Sequence, residues 1–416
     1  MNILFLTMSK FRDINESGIY TDLMRRFRKD GHEVYVVTPT ERRDGKPTYI
    51  TETDGVHILN VRTLNVQKTN VIEKGIGQVL LEPLYQRAIK AYFHDVRFDI
   101  VLYSTPPITF NSVIKKVKRK NPHAMTYLML KDIFPQNAID IAMLKATGVK
   151  GFLYRAFRKK EKELYRISDF IGCMSPANVQ YVLEHNPEVD AGKVELCPNS
   201  YEVSTEQRMD DIVLKREIRE KYHLPIDKPI FLYGGNLGKP QGIPFLIDCL
   251  EANKERDDCH FVVVGDGFDY PKIEKWYNEN QPKAVSLFKR LPKADYDKLA
   301  DACDVGLIFL DHRFTIPNFP SRLLPYLMGK KPVIACTDPH CDTGTIAQAN
   351  GFGLYCESNS VEAFTSAVNA MLLADRDDMG NKAYQFFLDN YTVEHTYNAI
   401  MKHIKKPSDN FSHQNS

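Results

Sequence analysis

The segment PIFLYGGNLGKPQG, residues 229–242, is the most informative about the fold of the second half of the chain. An apolar run typical of a buried strand leads into four glycines within residues 234–242, and a helical pattern follows at residues 244–250. Glycines at this place let backbone N–H groups approach a ligand, and the start of a helix favours negative charge. The stretch indicates an anion-binding loop to which Lys239 adds a charged contact, or a turn that uses glycine for geometry alone.

The same alternation of apolar runs and helical patterns extends along the whole chain. In the first half we predict strands at residues 2–7, 33–38, 100–104 and 124–130, with helices at 20–30 and 110–120. In the second half we predict strands at residues 229–233, 260–264, 305–310 and 332–335. Apolar strands separated by helices are typical of parallel sheets covered on both faces. The sequence therefore predicts an α/β protein with two doubly wound domains.

The domain boundary is expected near residues 196–199 (LCPN), which end an apolar strand. We assign residues 1–200 to an N-terminal domain and residues 201–389 to a C-terminal domain, and we expect residues 406–416 to be a disordered tail. Ligands of open α/β sheets bind beyond the carboxyl ends of the strands. The expected site is therefore the cleft between the two sheets.

Composition excludes several classes of protein. The formal charge of +2 argues against a dedicated nucleic-acid binder. No apolar stretch approaches the roughly 18–20 residues of a membrane span, and the N-terminus lacks the features of a signal peptide. The eight cysteines form no C-x-x-C pair, so we expect reduced thiols in the cytoplasm. Cys336, His340 and Cys341 imitate a metal cluster, but a fourth ligand is missing, and no metal is expected.

A second candidate for anion binding lies in residues 319–326, FPSRLLPY. Pro320 suits the start of a helix and Ser321 can cap it. Arg322 then falls in the first turn, where the helix dipole disfavours a cation. The segment indicates an anion held by Arg322, or an arginine that is merely exposed to solvent.

Three further loops follow predicted strands. Asp132 is suited either to act as a general base or hydrogen-bond acceptor, or to cap a helix ahead of Pro135. The pair Gly265-Asp266 closes the strand at residues 260–264, as in many strand–helix turns. The loop at residues 9–18 lies where a ligand would reach the first sheet, although a plain connection fits equally well.

Two basic stretches, residues 115–120 and 154–162, lie in helical patterns. Helices of this kind contact anionic lipid headgroups, or they form the solvated outer faces of crossover helices. The sequence leaves both interpretations open.

Together, these segments resemble retaining glycosyltransferases of the GT-B fold, family 4, in the branch that builds bacterial capsule and O-antigen. The resemblance is carried by residues 129–137 (MLKDIFPQN), 197–199, 234–242, 265–267, 320–335 (PSRLLPYLMGKKPVIA), 337–344 and 351–353. It implies two Rossmann-like domains facing across a cleft, with the acceptor in the first and a nucleotide-sugar donor in the second. It also implies that a C-terminal helix, residues 390–405, returns to the first domain.

The resemblance assigns roles to individual residues. The expected catalytic residues are Asp132, Lys239 and Arg322, the expected donor-binding residues are Gly18, Gly235, Asn236, Gln241, Gly265, Asp266, Arg290, Leu291, Ser321 and Leu323, and Glu16 is assigned to the acceptor. In this chemistry the departing phosphate takes the acceptor's proton, so the protein positions the substrates and stabilises the diphosphate charge. No cofactor is expected.

The chain departs from the family pattern at charged positions. Many relatives have arginine and lysine where this chain has Asn236 and Gln241, and the Glu-x7-Glu pair of the family falls on Pro317 and Pro325. The second glutamate of that pair normally binds ribose. We therefore expect Lys239 and Arg322 to supply the missing positive charge.

The leading functional hypothesis is transfer of a sugar, such as an N-acetylated amino or deoxyamino sugar, from a UDP donor to a lipid-linked oligosaccharide. The basic helices and the apolar residues 79–84 would suit such an acceptor through peripheral membrane contact. Two alternatives stay open. One is a nucleotide-sugar 2-epimerase, which shares the architecture, and the other is a non-catalytic partner subunit, which the lost glutamates support.

Overall fold

The computed structural model describes residues 1–11, 13–65, 71–203 and 212–404. The chain divides into two compact units. The first comprises Met1–Phe134, Phe152–Glu202 and Tyr391–Ser416, and the second comprises Pro135–Gly151 and Val203–Asn390. The predicted disordered tail, residues 406–416, lies outside the described residues.

The first unit is built on an eight-stranded sheet in the order β3-β4-β2-β1-β5-β6-β7-β8. Its strands are β1 (Asn2–Leu6), β2 (Glu33–Glu41), β3 (Tyr49–Thr53), β4 (Val56–Thr63), β5 (Ile100–Ser104), β6 (Met125–Leu130), β7 (Phe170–Cys173) and β8 (Val194–Leu196). All neighbours pair in parallel except β3 and β4. The carboxyl ends of seven strands therefore meet at one edge.

Helices cover both faces of this sheet. They are α1 (Ile19–Lys29), α2 (Val71–Tyr92), α3 (Asn111–Lys120), α5 (Gly148–Ile167), α6 (Pro176–His185) and the last helix, α15 (Val393–Met401). The short helix α4 (Gln136–Asp140) precedes α5 and belongs to the second unit. Within the described residues, no helix is long and apolar enough to cross a membrane.

The second unit has a six-stranded parallel sheet in the order β11-β10-β9-β12-β13-β14. Its strands are β9 (Ile230–Asn236), β10 (His260–Asp266), β11 (Val285–Lys289), β12 (Val305–Phe309), β13 (Val333–Thr337) and β14 (Gly353–Glu357). Its remaining helices are α7 (Ile212–Lys221), α8 (Ile243–Asn253), α9 (Tyr270–Asn280), α10 (Lys293–Ala302), α11 (Leu323–Met328), α12 (Thr343–Ala349), α13 (Val361–Leu373) and α14 (Arg376–Asn390). The strand order reverses between β9 and β12, and ligands of doubly wound sheets bind at such a switch point.

The predicted fold class, α/β with two doubly wound sheets, is confirmed. One local expectation is wrong, because β9 does not end where the glycines begin. Gly234, Gly235 and Asn236 continue the strand and pair with Val264, Gly265 and Asp266 of β10. Backbone hydrogen bonds thus fix the first part of the predicted loop in extended form.

Candidate functional site

Arg322 is the most distinctive polar side chain at the carboxyl edge of the second sheet. Its guanidinium carbon lies 4.6 Å from the centroid of the Tyr233 ring in β9. Among the described residues its buried Nη1 atom has no hydrogen-bond partner. A buried charged donor without an acceptor is costly, so an anion bound here would satisfy it.

Tyrosine residues hold this arginine in place. The Tyr326 hydroxyl donates to the Leu232 carbonyl (3.0 Å) and accepts the Gly234 N–H (3.2 Å). A Cβ atom on Gly234 would come within 1.9 Å of the Tyr296 hydroxyl oxygen, so the tyrosine fits only because glycine stands there. Burial opposes the charge of Arg322, but the neighbouring Tyr233, Tyr326 and Tyr296 outweigh it and the pKa of Arg322 is raised. The arginine stays a cation.

The glycine-rich stretch passes close to this cation. Gly235 has φ of +128°, and a Cβ atom on it would lie 3.7 Å from the Arg322 guanidinium. The Asn236 side-chain amide donates to Gln241 Oε1 (2.9 Å), which also accepts the Gly238 N–H (3.3 Å). The structure therefore brings together the predicted residues Gly235, Asn236, Gln241 and Arg322.

The end of β10 lies directly beside this stretch. Gly265 pairs with Gly235, and a Cβ atom on Gly265 would come within 2.0 Å of the Gly235 carbonyl oxygen. Asp266 pairs with Asn236 and is exposed, with its Oδ1 atom accepting the Gly267 N–H (2.9 Å). Only glycine allows the two strands to approach this closely at their carboxyl ends.

Lys239 lies elsewhere on the same loop. Its side chain is exposed, and its ammonium is 6.0 Å from the centroid of the Phe268 ring. The structure places Lys239 beside the turn after β10, whereas Arg322 reaches the loop from the segment after β12. The two predicted cations therefore approach the loop from different strands.

The remaining donor-site predictions fall into two groups. Leu323 is buried and its N–H donates to the Pro320 carbonyl (3.0 Å). Ser321 is not the N-cap residue of α11, because that position is held by Arg322, whose side chain makes no capping hydrogen bond. Arg290 is exposed and Leu291 half-buried after β11, two strands away from β9.

Asp132 lies at the carboxyl edge of the first sheet, after β6. The N–H groups of Lys131 and Asp132 point at Thr105 Oγ1 (3.0 and 3.2 Å), and that hydroxyl donates to the Asp132 carbonyl (3.1 Å). Burial raises the pKa of the half-buried Asp132 carboxyl to about 6. The helix-cap alternative is wrong, because α4 starts after Pro135 without a side-chain cap. The Asp132 carboxyl group therefore does not cap α4, which leaves the base or hydrogen-bonding role.

The first loop of this unit is pinned by two residues that the sequence analysis missed. Arg25 donates to the carbonyls of Ile14 (2.5 Å) and Glu16 (3.1 Å), while the buried Asp22 accepts the Gly18 N–H (2.9 Å). Glu16 itself is exposed and Gly18 half-buried. An acidic residue four positions after a glycine that precedes a helix was the available signal.

Asp338, directly after β13, is a third residue that the sequence analysis missed. Its Oδ1 atom accepts the N–H groups of His340 (2.9 Å) and Cys341 (3.0 Å), whereas its buried Oδ2 atom has no partner among the described residues. Burial raises the pKa of Asp338 to about 7, and Asp140 adds to the shift. The segment 337–344 carries part of the family resemblance, but nothing in it marks Asp338 among its neighbours.

Two further candidates from the sequence, the cysteine cluster and the basic helices, have ordinary structural surroundings. Cys336 Sγ lies 3.0 Å from Cys356 Sγ, and the Cys341 thiol donates to the Asn318 carbonyl (2.9 Å), so they do not converge with His340. In the part of the chain that the structure describes, no group of three metal-ligating side chains comes together. The basic helices carry several ion pairs, namely Lys115–Glu163, Lys118–Asp169, Arg158–Glu161 and Lys162–Glu188.

Two families of known proteins match the chain. The family described as Glycosyltransferase Family 4 matches residues 19–205, and the family described as Glycosyl transferases group 1 matches residues 215–386. WbjE of Pseudomonas aeruginosa, named a probable glycosyltransferase, is 22% identical over 332 residues, which is 78% of each chain. WcaI of Escherichia coli, provisionally named a colanic acid biosynthesis glycosyl transferase, is 25% identical over 201 residues, 47% of this chain and 48% of WcaI.

Solved structures agree on the architecture. Sucrose-phosphate synthase from Thermosynechococcus elongatus superposes with a TM-score of 0.72 at 16% identity, covering 96% of this chain and 97% of the other. HepE of Anabaena in complex with UDP gives a TM-score of 0.66 at 14% identity, covering 97% and 99%. The chain therefore has the two-domain GT-B glycosyltransferase fold, with a family 4-like domain followed by a group 1-like domain.

Proposed function

We propose that this glycosyltransferase moves a hexosyl or N-acetylhexosaminyl group, with retention, from a UDP-sugar to a lipid-linked oligosaccharide in capsule or O-antigen synthesis. The observation that carries the donor side of the proposal is the buried Nη1 atom of Arg322 next to Gly235, for which the described part of the chain offers no hydrogen-bond partner. The name of WcaI, which refers to colanic acid, and the UDP complex of HepE support the choice of pathway and nucleotide.

On the donor side, Arg322 binds the diphosphate as it becomes the leaving group. A preformed cation in a partly buried site stabilises developing negative charge more than a flexible surface lysine does. Gly235 leaves room for the phosphate, and the Asn236–Gln241 pair lines the loop. Lys239 adds positive charge at the loop's outer side, while Arg290 and Leu291 hold the base.

On the acceptor side, Asp132 orients the attacking hydroxyl, and the departing phosphate takes its proton. With a pKa of about 6, the carboxyl is ionised at neutral pH and accepts that hydrogen bond. Glu16 and Gly18, on the loop held by Arg25, contact the acceptor or the transferred sugar.

Peripheral contact with the cytoplasmic face of a membrane is part of the same proposal. At the start of α5, Phe152 is 71% exposed and Leu153 is exposed as well, with Arg155 following on the same helix. Exposed apolar side chains beside a cation are suited to the headgroup region of an anionic bilayer.

The test is calorimetric and thermal-shift binding of UDP, GDP and a panel of UDP-sugars. At 100 times its Kd a ligand adds about 2.7 kcal/mol to the free energy of unfolding, which is visible as a raised melting temperature. Arg322→Met should weaken UDP binding about 10- to 100-fold, because it removes a hydrogen bond from a charged donor. Arg322→Lys should recover part of the loss.

Arg313→Met is the matched control, since that guanidinium is already paired with Asp311 at 2.6 Å in the same unit. UDP binding that is equal in wild type and Arg322→Met would overturn the donor site. If wild type binds no nucleotide, the partner-subunit alternative, which Pro317 and Pro325 favour, takes its place. A UDP-sugar converted to its 2-epimer without release of UDP would identify an epimerase.

A further inference from the structure

We propose that Phe268 is the platform on which the nucleobase of the donor stacks. The inference rests on the proposed donor site and adds to it a contact with the base. Phe268 follows β10, in the turn that faces residues 234–242 (the donor loop), and its side chain is 78% exposed. Large exposed aromatic rings are stacking surfaces for any base, because every base has a π-face.

The backbone around Phe268 is fixed on both sides. The Leu237 N–H donates to the Asp266 carbonyl (3.1 Å), and the Asp269 N–H donates to the Leu237 carbonyl (2.9 Å). Between them, a Cβ atom on Gly267 would come within 2.4 Å of that same Leu237 oxygen. These contacts fix the backbone of the turn, so only the side-chain torsions of Phe268 lose freedom when the ring binds a ligand.

The position of the ring matches the shape of a nucleoside diphosphate. In the sheet order β11-β10-β9-β12, Phe268 follows β10, whereas Arg322 belongs to the segment after β12. The two side chains therefore approach the loop from opposite sides of β9. An anion at Arg322 leaves the nucleoside to extend toward β10 and β11, where Phe268 precedes the Arg290–Leu291 segment.

The charge beside the ring fits the same assignment. The Lys239 ammonium lies 6.0 Å from the ring centroid, which is within cation–π range. A base stacked on Phe268 would keep one edge of the ring near this cation, and the lysine would stay free to contact phosphate. Single exposed aromatic residues also occur without function. A comparison of ligands with and without a base distinguishes a stacking ring from such a residue.

The experiment compares UDP with pyrophosphate, which lacks the base, by calorimetry on the full chain. Phe268→Ala should weaken UDP binding about 5- to 100-fold and leave pyrophosphate binding unchanged. Phe268→Tyr keeps the π-face and should bind UDP within about threefold of wild type. Phe268→Leu keeps apolar area without the π-face and should fall between them.

Leu373→Ala is the matched control, because that side chain in the same unit is 90% exposed. The stacking assignment is overturned if wild type and Phe268→Ala bind UDP equally, or if Phe268→Ala weakens UDP and pyrophosphate alike. Wild type that binds pyrophosphate and UDP equally tightly also contradicts it. Failure of wild type to bind either ligand would instead remove the proposed donor site itself.

Discussion

At the scale of single residues, burial changes the charge state of two carboxyl groups at strand ends. Asp132 and Asp338 each follow a central strand, and burial raises their pKa values to about 6 and about 7. Arg322 shows the opposite outcome, since its cation persists in partly buried surroundings. A carboxyl group whose pKa lies near neutral pH can gain or lose a proton under physiological conditions, whereas the arginine stays charged.

For Asp132 we predict a pH-dependent rate. In the proposed mechanism the carboxylate form of Asp132 orients the acceptor hydroxyl, so kcat/KM for UDP release in the presence of acceptor should rise as the pH passes about 6. Asp132→Asn should lower kcat/KM about 10- to 100-fold at pH 8 and abolish its rise near pH 6. The control is Asp95→Asn, an exposed residue of the same unit. A pH profile that keeps its step near 6 in Asp132→Asn would assign that step to another group.

For Asp338 we predict that a neutral isostere stabilises the second unit at high pH. An unfolded aspartate loses its proton near pH 4, whereas the folded carboxyl holds it until about pH 7. The unfolded state therefore binds fewer protons between those values, and the free energy of unfolding falls from pH 4 to 7 and levels off above. Asp338→Asn should raise the melting temperature at pH 8 and much less at pH 5.

The groups that face this carboxyl are Asp140, Cys341 and Tyr355, together with the backbone N–H of His340. Asp377→Asn, exposed on α14, serves as the control. Thermal unfolding at the two pH values decides the matter. Equal destabilisation by Asp338→Asn at pH 5 and pH 8 would mean that the native carboxyl is ionised and held by its hydrogen bonds to the His340 and Cys341 N–H groups.

At the scale of elements, α1 acts as the anchor for the loop that precedes it. Arg25 uses its whole guanidinium, bonding the Ile14 and Glu16 carbonyls, Asp22 (2.7 Å) and Glu202 (2.9 Å). Asp22 in turn accepts the Glu202 N–H at 2.8 Å. One turn of helix thus fixes both the first loop and the last residue before the second unit.

Arg25→Ala should release that loop. We expect faster amide exchange at residues 13–18, because their carbonyls lose a shared donor, and a lower kcat with unchanged UDP affinity. Arg28→Ala is the matched control, since Arg28 bonds the His32 (3.0 Å) and Asp54 (3.1 Å) carbonyls at the other end of α1. Unchanged exchange at residues 13–18 in Arg25→Ala would contradict the anchoring role.

At the scale of the whole molecule, the chain leaves the first unit after Glu202 and re-enters it at Tyr391. Helix α15 then packs Val393, Tyr397 and Ile400 into the same core as Leu23 and Phe27 of α1. The Thr396 hydroxyl donates to the Pro198 carbonyl (2.9 Å). The stability of the first unit therefore depends on the last helix of the chain.

Ile400→Ala tests this dependence. Ile400 is fully buried, so the cavity should cost about 2–5 kcal/mol of unfolding free energy in the first unit. Hydrogen exchange should quicken in α1 and β1 while β9 and β10 keep their protection. Leu373→Ala, an exposed truncation, should change neither. Equal loss of protection in both sheets would show that the two units unfold together.

The class of fold and several residues of the candidate site could be predicted from the sequence. Apolar runs with intervening helical patterns are local signals, and they located the four middle strands of each sheet. Strands β4 and β7, which also pair on both sides in the first sheet, were not predicted. A short, polar edge strand such as β3 gave no such signal. Arg322 was recognised because a cation at a helix start is unfavourable, and Gly235 because a glycine cluster follows a strand.

The surroundings of these residues depend on how distant segments of the chain pack together. Gly234 and Tyr326 are 92 positions apart, yet the hydrogen bond between them helps to position the tyrosines around Arg322. The burial of Asp338, the backbone contacts around Phe268 and the bonds of Arg25 to Glu202 likewise join distant segments. The physical reason is that periodicity records which face of an element is apolar, whereas the pKa and partners of a polar group depend on which other elements pack against it.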